Sequence, residues 1–353
     1  MRSSINFIVV LLCAAAAATA SAGTLVVANK SEATVSLVDT GTGEIRATLP
    51  TGNAPHEVDV SPDGRLALVG NYGTRDVPGS TLTLIDIPAA EVVTTIDLGE
   101  YRRPHGIVWL DNRDALVTAE ANQALVLVNT ESGEVLHSVA TEADVSHMVG
   151  VANDRGLAFV ANIGSGSVTA IDLALAARLV TIPTGDGAEG IAVTPDGRQV
   201  WVTNRGEDTV SVIDVASRSP IAKLDAGAFP IRAEATADGR YVLVTNAKSN
   251  DLSVFSTTDL SEVRRVSFDA VSKDAEGRLF SDRFGSSSVP IGIEIVDHEH
   301  RAYVAHANAD DISIIDLEKW QVVGTLSAGR EPDGMGWSPL VPTPDEGPPG
   351  QSD

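Results

Sequence analysis

The sequence predicts an all-β fold, a seven-bladed β-propeller with four-stranded blades. Three observations lead there. First, one phrase recurs: PHEVDVSPDG from Pro55, PHGIVWLDNR from Pro104, SHMVGVANDR from Ser146 and AEGIAVTPDG from Ala188. It continues as PIRAEATADG from Pro230, PIGIEIVDHE from Pro290 and PDGMGWSPL from Pro332. Second, its second residue returns at a near-constant interval. His56, His105, His147, Glu189, Ile231, Ile291 and Asp333 are separated by 49, 42, 42, 42, 60 and 42 residues. A period of about 40–45 residues with strand-like patterning marks propeller blades. Third, the segments between phrases read as short strands bounded by Gly, Asp, Asn and Pro, and no long stretch has helical periodicity.

The fourth repeat shows the grammar. Gly190 to Thr194 is a strand and Pro195-Asp196-Gly197 a turn. The strands QVWVTN from Gln199 and TVSVID from Thr209 follow, then Ile221 to Leu224. Residues Thr24 to Pro50 supply only strands two to four of a blade, and the phrase from Pro332 supplies only a first strand. The two ends are expected to complete one blade and close the ring. The domain reading is therefore a signal peptide over 1–22, a propeller over 23–340, and a Pro-, Gly- and acid-rich disordered tail over 341–353.

The signal reading rests on Arg2, the apolar run Ile5 to Ala18, and the small-x-small site Ala20-Ser21-Ala22. It predicts a periplasmic or secreted protein with no membrane span. Cys13, the single cysteine, would leave with this segment. The mature chain would then have no disulfide, no thiolate ligand and no covalent haem attachment. Formal charge is −23 from 25 Lys+Arg and 48 Asp+Glu. That balance disfavours nucleic acid, whose binding rests on phosphate neutralisation.

FVAN at Phe159, WVTN at Trp201 and LVTN at Leu243, each followed by a TVSVID-like strand, resemble YVTN-type repeats. That family, which includes YncE-like proteins, comprises seven-bladed propellers of periplasmic and surface proteins. The build is similar to the haem-binding propeller of periplasmic nitrite reductases and, more distantly, to propeller lactonases. The resemblance covers nearly the whole mature chain and implies fold more than function, because the motif residues are scaffold residues.

In such a propeller the first strand of each blade lines the central channel. The register then predicts an inner ring of His56, His105, His147, Glu189, Ile231, Ile291 and Asp333. It predicts an outer ring of Asn29, Asn71, Glu120, Asn162, Asn204, Asn246 and His306. Departures from repeat symmetry are the candidate site. Glu120 is expected to pair with His105. Arg103 and Arg232 flank the inner ring. An 18-residue insertion near Val271 to Ser288 brings Arg278, Phe280, Arg283 and Phe284 to the same rim. A 7-residue insertion near Tyr72 to Ser80 lies there too.

An Arg/His-rich mouth suits a small anionic ligand, with Phe280 and Phe284 as an apolar wall. Another periplasmic protein is the alternative partner. The trio His56, His105 and His147, with Glu189 or Asp333, would suit zinc, copper or iron. On that reading the chain is a metal-dependent hydrolase of lactonase type, a lyase or an oxidoreductase. Non-covalent haem, with His105 or His147 as axial ligand, is the third reading. Each His also has a bland explanation, a hydrogen bond to a neighbouring blade. No catalytic motif separates binder from enzyme. His298 and His300, in the DHEH turn, are expected on the opposite rim and in solvent.

Overall fold

A computed structural model describes residues 23–271, 278–280 and 283–343. The predicted signal segment, the tail from 344 and part of the long insertion lie outside the described residues. Seven four-stranded antiparallel sheets form the ring. Six follow chain order, from the innermost strands Pro55–Val60, Pro104–Trp109, Ser146–Ala152, Ala188–Val193, Pro230–Ala235 and Pro290–Val296 outward. These are blades one to six. In blade seven the innermost strand is Pro332–Ser338, paired with Thr24–Asn29, then Thr34–Asp39 and Ile45–Pro50. Thr24 lies opposite Ser338 and Asn29 opposite Pro332, so the two ends share one sheet as expected. Closure this way leaves the ring no unpaired strand edge at its joint.

Burial follows position in the blade. The second and third strands are continuous apolar runs, because both of their faces meet neighbouring blades; Gln199–Asn204 is one example. Outermost strands alternate or face solvent, as Ser219–Asp225 does. The largest wholly buried side chains are Trp201, Tyr303, Phe159 and Phe255. Phe159, Ile191 and Val202 join blades three and four in one apolar cluster. Asp39, Asp86, Asp172, Asp214 and Asp316 cap the turns after third strands by accepting backbone N–H groups two or three residues on.

Three features aim the phrase into the channel. The residue before each innermost strand is left-handed: Glu331, Ala54, Arg103, Val145, Gly187, Phe229 and Val289 all have φ between 49° and 71°. Only one of the seven is glycine, and the β-branched Val145 and Val289 are strained there. Second, the register shifts at the head of the innermost strands, for example between Pro55 and Val58. In six blades such a bulge leaves the second and third residues unpaired and re-aims them; in blade five only Ile231 is skipped, and Arg232 pairs with Thr245. Third, blades two, four, six and seven carry glycine at the third position. A Cβ on Gly292 would stand 2.0 Å from the Asp333 carbonyl oxygen, so the innermost strands pack backbone to backbone.

Candidate ligand and metal site at the channel mouth

The inner ring is as the sequence predicts. His56, His105, His147, Glu189, Asp333, Ile231 and Ile291 are all buried and converge on the channel. The three imidazoles lie in a row. Ring centroids are 4.0 Å apart for His56 and His105 and 3.5 Å apart for His105 and His147.

The outer ring differs from expectation at one blade. In blades one, three, four, five and six the residue opposite the phrase's first position is Asn71, Asn162, Asn204, Asn246 and His306. In blade two it is Ala119, not Glu120. The turn after the first strand is one residue shorter there: Leu110 bonds Asp114, whereas Ser61 bonds Leu66 in blade one. Glu120 is thereby advanced one place, level with Lys30, Tyr72 and Arg205 of blades seven, one and four. This also corrects its partner. Glu120 Oε1 is 2.9 Å from His147 Nδ1, and its other oxygen accepts the Tyr72 hydroxyl; His105 is not its partner.

The asparagine ring is scaffold. Asn204 donates to Thr209 and Ser211, and Asn246 to Asp251 and Ser253, within their own blades. His306 takes the same part, bonded at both nitrogens to Ser288 and Ser313 (2.7 and 2.8 Å) and placed edge-on to Phe268. It stands apart from the imidazole row.

Two phrase-position-three residues complete the centre. Arg232 of blade five reaches across the channel to Glu57 of blade one and lies 3.6 Å from Glu189 Oε1. Glu57 Oε1 is 3.6 Å from His56 Nδ1 and 3.9 Å from His105 Nδ1. Asp333 is 3.1 Å from His56 Nδ1 and accepts Lys30 at 2.9 Å. Arg205 donates to Glu189 at 2.6 Å. Glu57, Tyr72, Lys30 and Arg205 were not singled out from sequence. The signal was present in repeat register: Glu57 and Arg232 stand where four phrases carry Gly, and the other three follow the Asn position directly.

The electrostatics differ along the row. Burial and the neighbouring imidazoles hold His105 neutral, its pKa well below the ordinary value. Burial also lowers His56, against the opposing pull of Asp333. Burial works against the His147 cation, but bonding to Glu120 and Glu189 outweighs it and the pKa rises. Burial likewise opposes the Glu189 anion, yet His147, Arg205 and Arg232 bring its pKa down to about 2. Burial and the Glu120 charge raise the Tyr72 phenol, which therefore stays a donor.

A cleft of ≈ 470 Å³ opens above this half of the ring, lined by Tyr72, Arg103, Glu120, Val145, His147 and Arg205 among others. Arg103 lies 4.8 Å over the Tyr72 ring. The other half of the mouth is apolar. Phe284 of the insertion is buried with Ile231 and Ile291, and Phe280 and Phe229 pack on it. Arg283 lies 4.7 Å over Phe229, and Arg278 bonds Asp310 and the Ala307 carbonyl. His298 and His300 are exposed at the far rim as expected. Among the described residues no helix is long and apolar enough to cross a membrane.

Residues 176–271 match the family described as Lactonase, 7-bladed beta-propeller. No curated protein matches the chain. Among solved structures, a functionally unknown protein from Desulfotomaculum acetoxidans is similar, with TM-score 0.73 and 16% identity over 91% of this chain and 99% of that one. Kuenenia stuttgartiensis hydrazine synthase aligns with TM-score 0.66 and 17% identity, covering 81% and 90%. A dihydro-heme d1 dehydrogenase, NirN, solved in complex with DHE, aligns with TM-score 0.61 and 18% identity, covering 92% and 77%. At these identities the likeness establishes the seven-bladed fold.

Proposed function

We propose that this chain is an exported ligand-binding propeller that takes a small anionic molecule, of carboxylate class, at its channel mouth. The supporting observation is the ≈ 470 Å³ cleft with Arg103, Arg205 and His147 in its lining. Its volume lies in the range usual for small-molecule sites. Arg103 is steadied by Tyr72 and by the carbonyls of Thr74 and Arg75, and Arg205 by Glu189. Both guanidiniums are thus held before a ligand arrives, which lowers the ordering cost of binding. The raised pKa of His147 favours its cationic form beside them. Export rests on the leader-like segment from Arg2 to Ala22.

The test is a thermal-shift and calorimetric titration of the mature chain with acetate, citrate, gluconate and inorganic phosphate. Saturable binding to at least one, lost in the Arg103→Gln/Arg205→Gln double variant, is the expected result. No shift with any of them, or a shift unchanged in the double variant, overturns the reading.

The metal-dependent enzyme is the second reading, favoured by the buried imidazole row. Haem fits less well. His105 is enclosed, and both His147 nitrogens already face carboxylates, at 2.9 and 3.4 Å. No imidazole nitrogen at the cleft is left for axial ligation.

A further inference from the structure

We propose that His56, Glu57 and His105 bind a divalent first-row transition-metal ion next to His147, a residue of the cleft lining. One oxygen of Glu57 stands 3.6 Å from His56 Nδ1 and 3.9 Å from His105 Nδ1, and the donor atoms of the three residues fall within 4.8 Å of one another. Ligands ~2.1 Å from a tetrahedral ion are ~3.4 Å from each other. The two distances to Glu57 therefore need to shorten by only about 0.2 and 0.5 Å to close on an ion.

Hydrogen bonding points the same way. His105 is 0% exposed and neither of its ring nitrogens has a hydrogen-bond partner, whereas His56 Nδ1 faces Asp333 at 3.1 Å and His147 Nε2 faces Glu189 at 3.4 Å. Buried side-chain polar atoms are normally bonded, because an unmet one retains its full desolvation cost. Elsewhere in this chain the rule holds for buried histidine: His306 is bonded at both nitrogens. Among the buried histidines of the described residues, His105, beside Glu57, is the one with neither nitrogen bonded and no carboxylate within 3.5 Å. An ion bound at the lone pair of His105 satisfies one of its two nitrogens.

Charge adds a third argument. Around the row stand four carboxylates, Glu57, Glu120, Glu189 and Asp333, against three cationic side chains, Lys30, Arg205 and Arg232. The carboxylates outnumber the fixed cations by one, and the His147 imidazole is taken up by Glu120 and Glu189, not by Glu57. Arg232 bonds the same Glu57 oxygen, so guanidinium and ion share one carboxylate and hold it between them. The donor set is imidazole and carboxylate with no thiolate, which suits zinc, iron or cobalt over copper(I).

The proposal does not depend on an anion above it, and its test uses the metal alone. Chelator-stripped mature chain is titrated with Co²⁺ in the visible and with Zn²⁺ by calorimetry. About one equivalent is expected, with d–d bands that report imidazole and carboxylate ligands. Glu57→Gln and His56→Gln are expected to weaken binding at least about tenfold. His298→Gln, on the far rim, is expected to leave it unchanged. Absence of stoichiometric Co²⁺ and Zn²⁺ binding by the unaltered chain overturns the proposal, whether or not the variants fold. Stoichiometric binding indifferent to folded Glu57→Gln and His56→Gln overturns it equally.

Discussion

Replacing Arg232 by Met tests the cross-channel charge pair most directly. Arg232 is 4% exposed and bonds Glu57, a residue 175 positions earlier in a non-adjacent blade. Burial works against its charge, but Glu57, Asp333 and Glu189 outweigh this and raise its pKa. Methionine fills a similar volume and removes the charge. Glu189 then still has Arg205 at 2.6 Å, but Glu57 keeps only His56 and His105, at 3.6 and 3.9 Å. Breaking a buried ion pair from one side costs about 3–5 kcal/mol, because the remaining charge has no partner. Glu57→Gln leaves Arg232 with Glu189 and is expected to cost less, about 1–3 kcal/mol. The double variant leaves no orphaned charge. It is expected to be more stable than the sum of the singles implies, by about 2–3 kcal/mol. Urea unfolding followed by the fluorescence of the four tryptophans, with chelator present, measures the cycle. Additivity within about 0.5 kcal/mol would refute the pairing.

Two further expectations concern the scaffold. Burial lowers the His306 pKa to about 3, so the fold holds it neutral while the unfolded chain protonates near pH 6.5. Its stabilising effect is complete above pH 6.5 and falls as the pH drops towards 3. Between pH 7 and 5 the unaltered chain should lose about 2 kcal/mol relative to His306→Asn, read from denaturant midpoints at the two pH values. A constant difference between the two would disprove the assignment. Gly292→Ala sets a Cβ 2.0 Å from the Asp333 carbonyl oxygen, a backbone atom that cannot turn aside. It should abolish folding or depress the melting temperature by ten degrees or more, roughly the effect of several kcal/mol. A melting curve within two degrees of the parent would contradict the close strand packing.

Much of the architecture is legible without coordinates, and the reason is repetition. Each phrase reports the same local environment seven times, so the blade count, the shared blade and the inward-facing second position follow from register alone. Register is weakest where one repeat departs from the rest by a single residue. The shorter turn between Leu110 and Asp114 kept Glu120 at the usual count from His105 while moving it one place along the strand. A period-2 structure turns such a slip into a change of direction, so the expected Glu120–His105 pair became Glu120–His147. Glu57 and Arg232 were obscure for another reason. Their pairing crosses the channel, and no nearest-neighbour pattern in sequence encodes a distance across a ring.

The sequence determined the ring, its closure and which residues face the channel, because these depend on hydrophobic periodicity and turn chemistry acting within about 42 residues. What the folded ring alone decided is which of those residues meet. The packing of the ring brings the donor atoms of His56, Glu57 and His105 within 4.8 Å of one another, holds Arg232 against Glu57, and leaves His306 to the scaffold. Those are long-range distances fixed by the packing of seven sheets together.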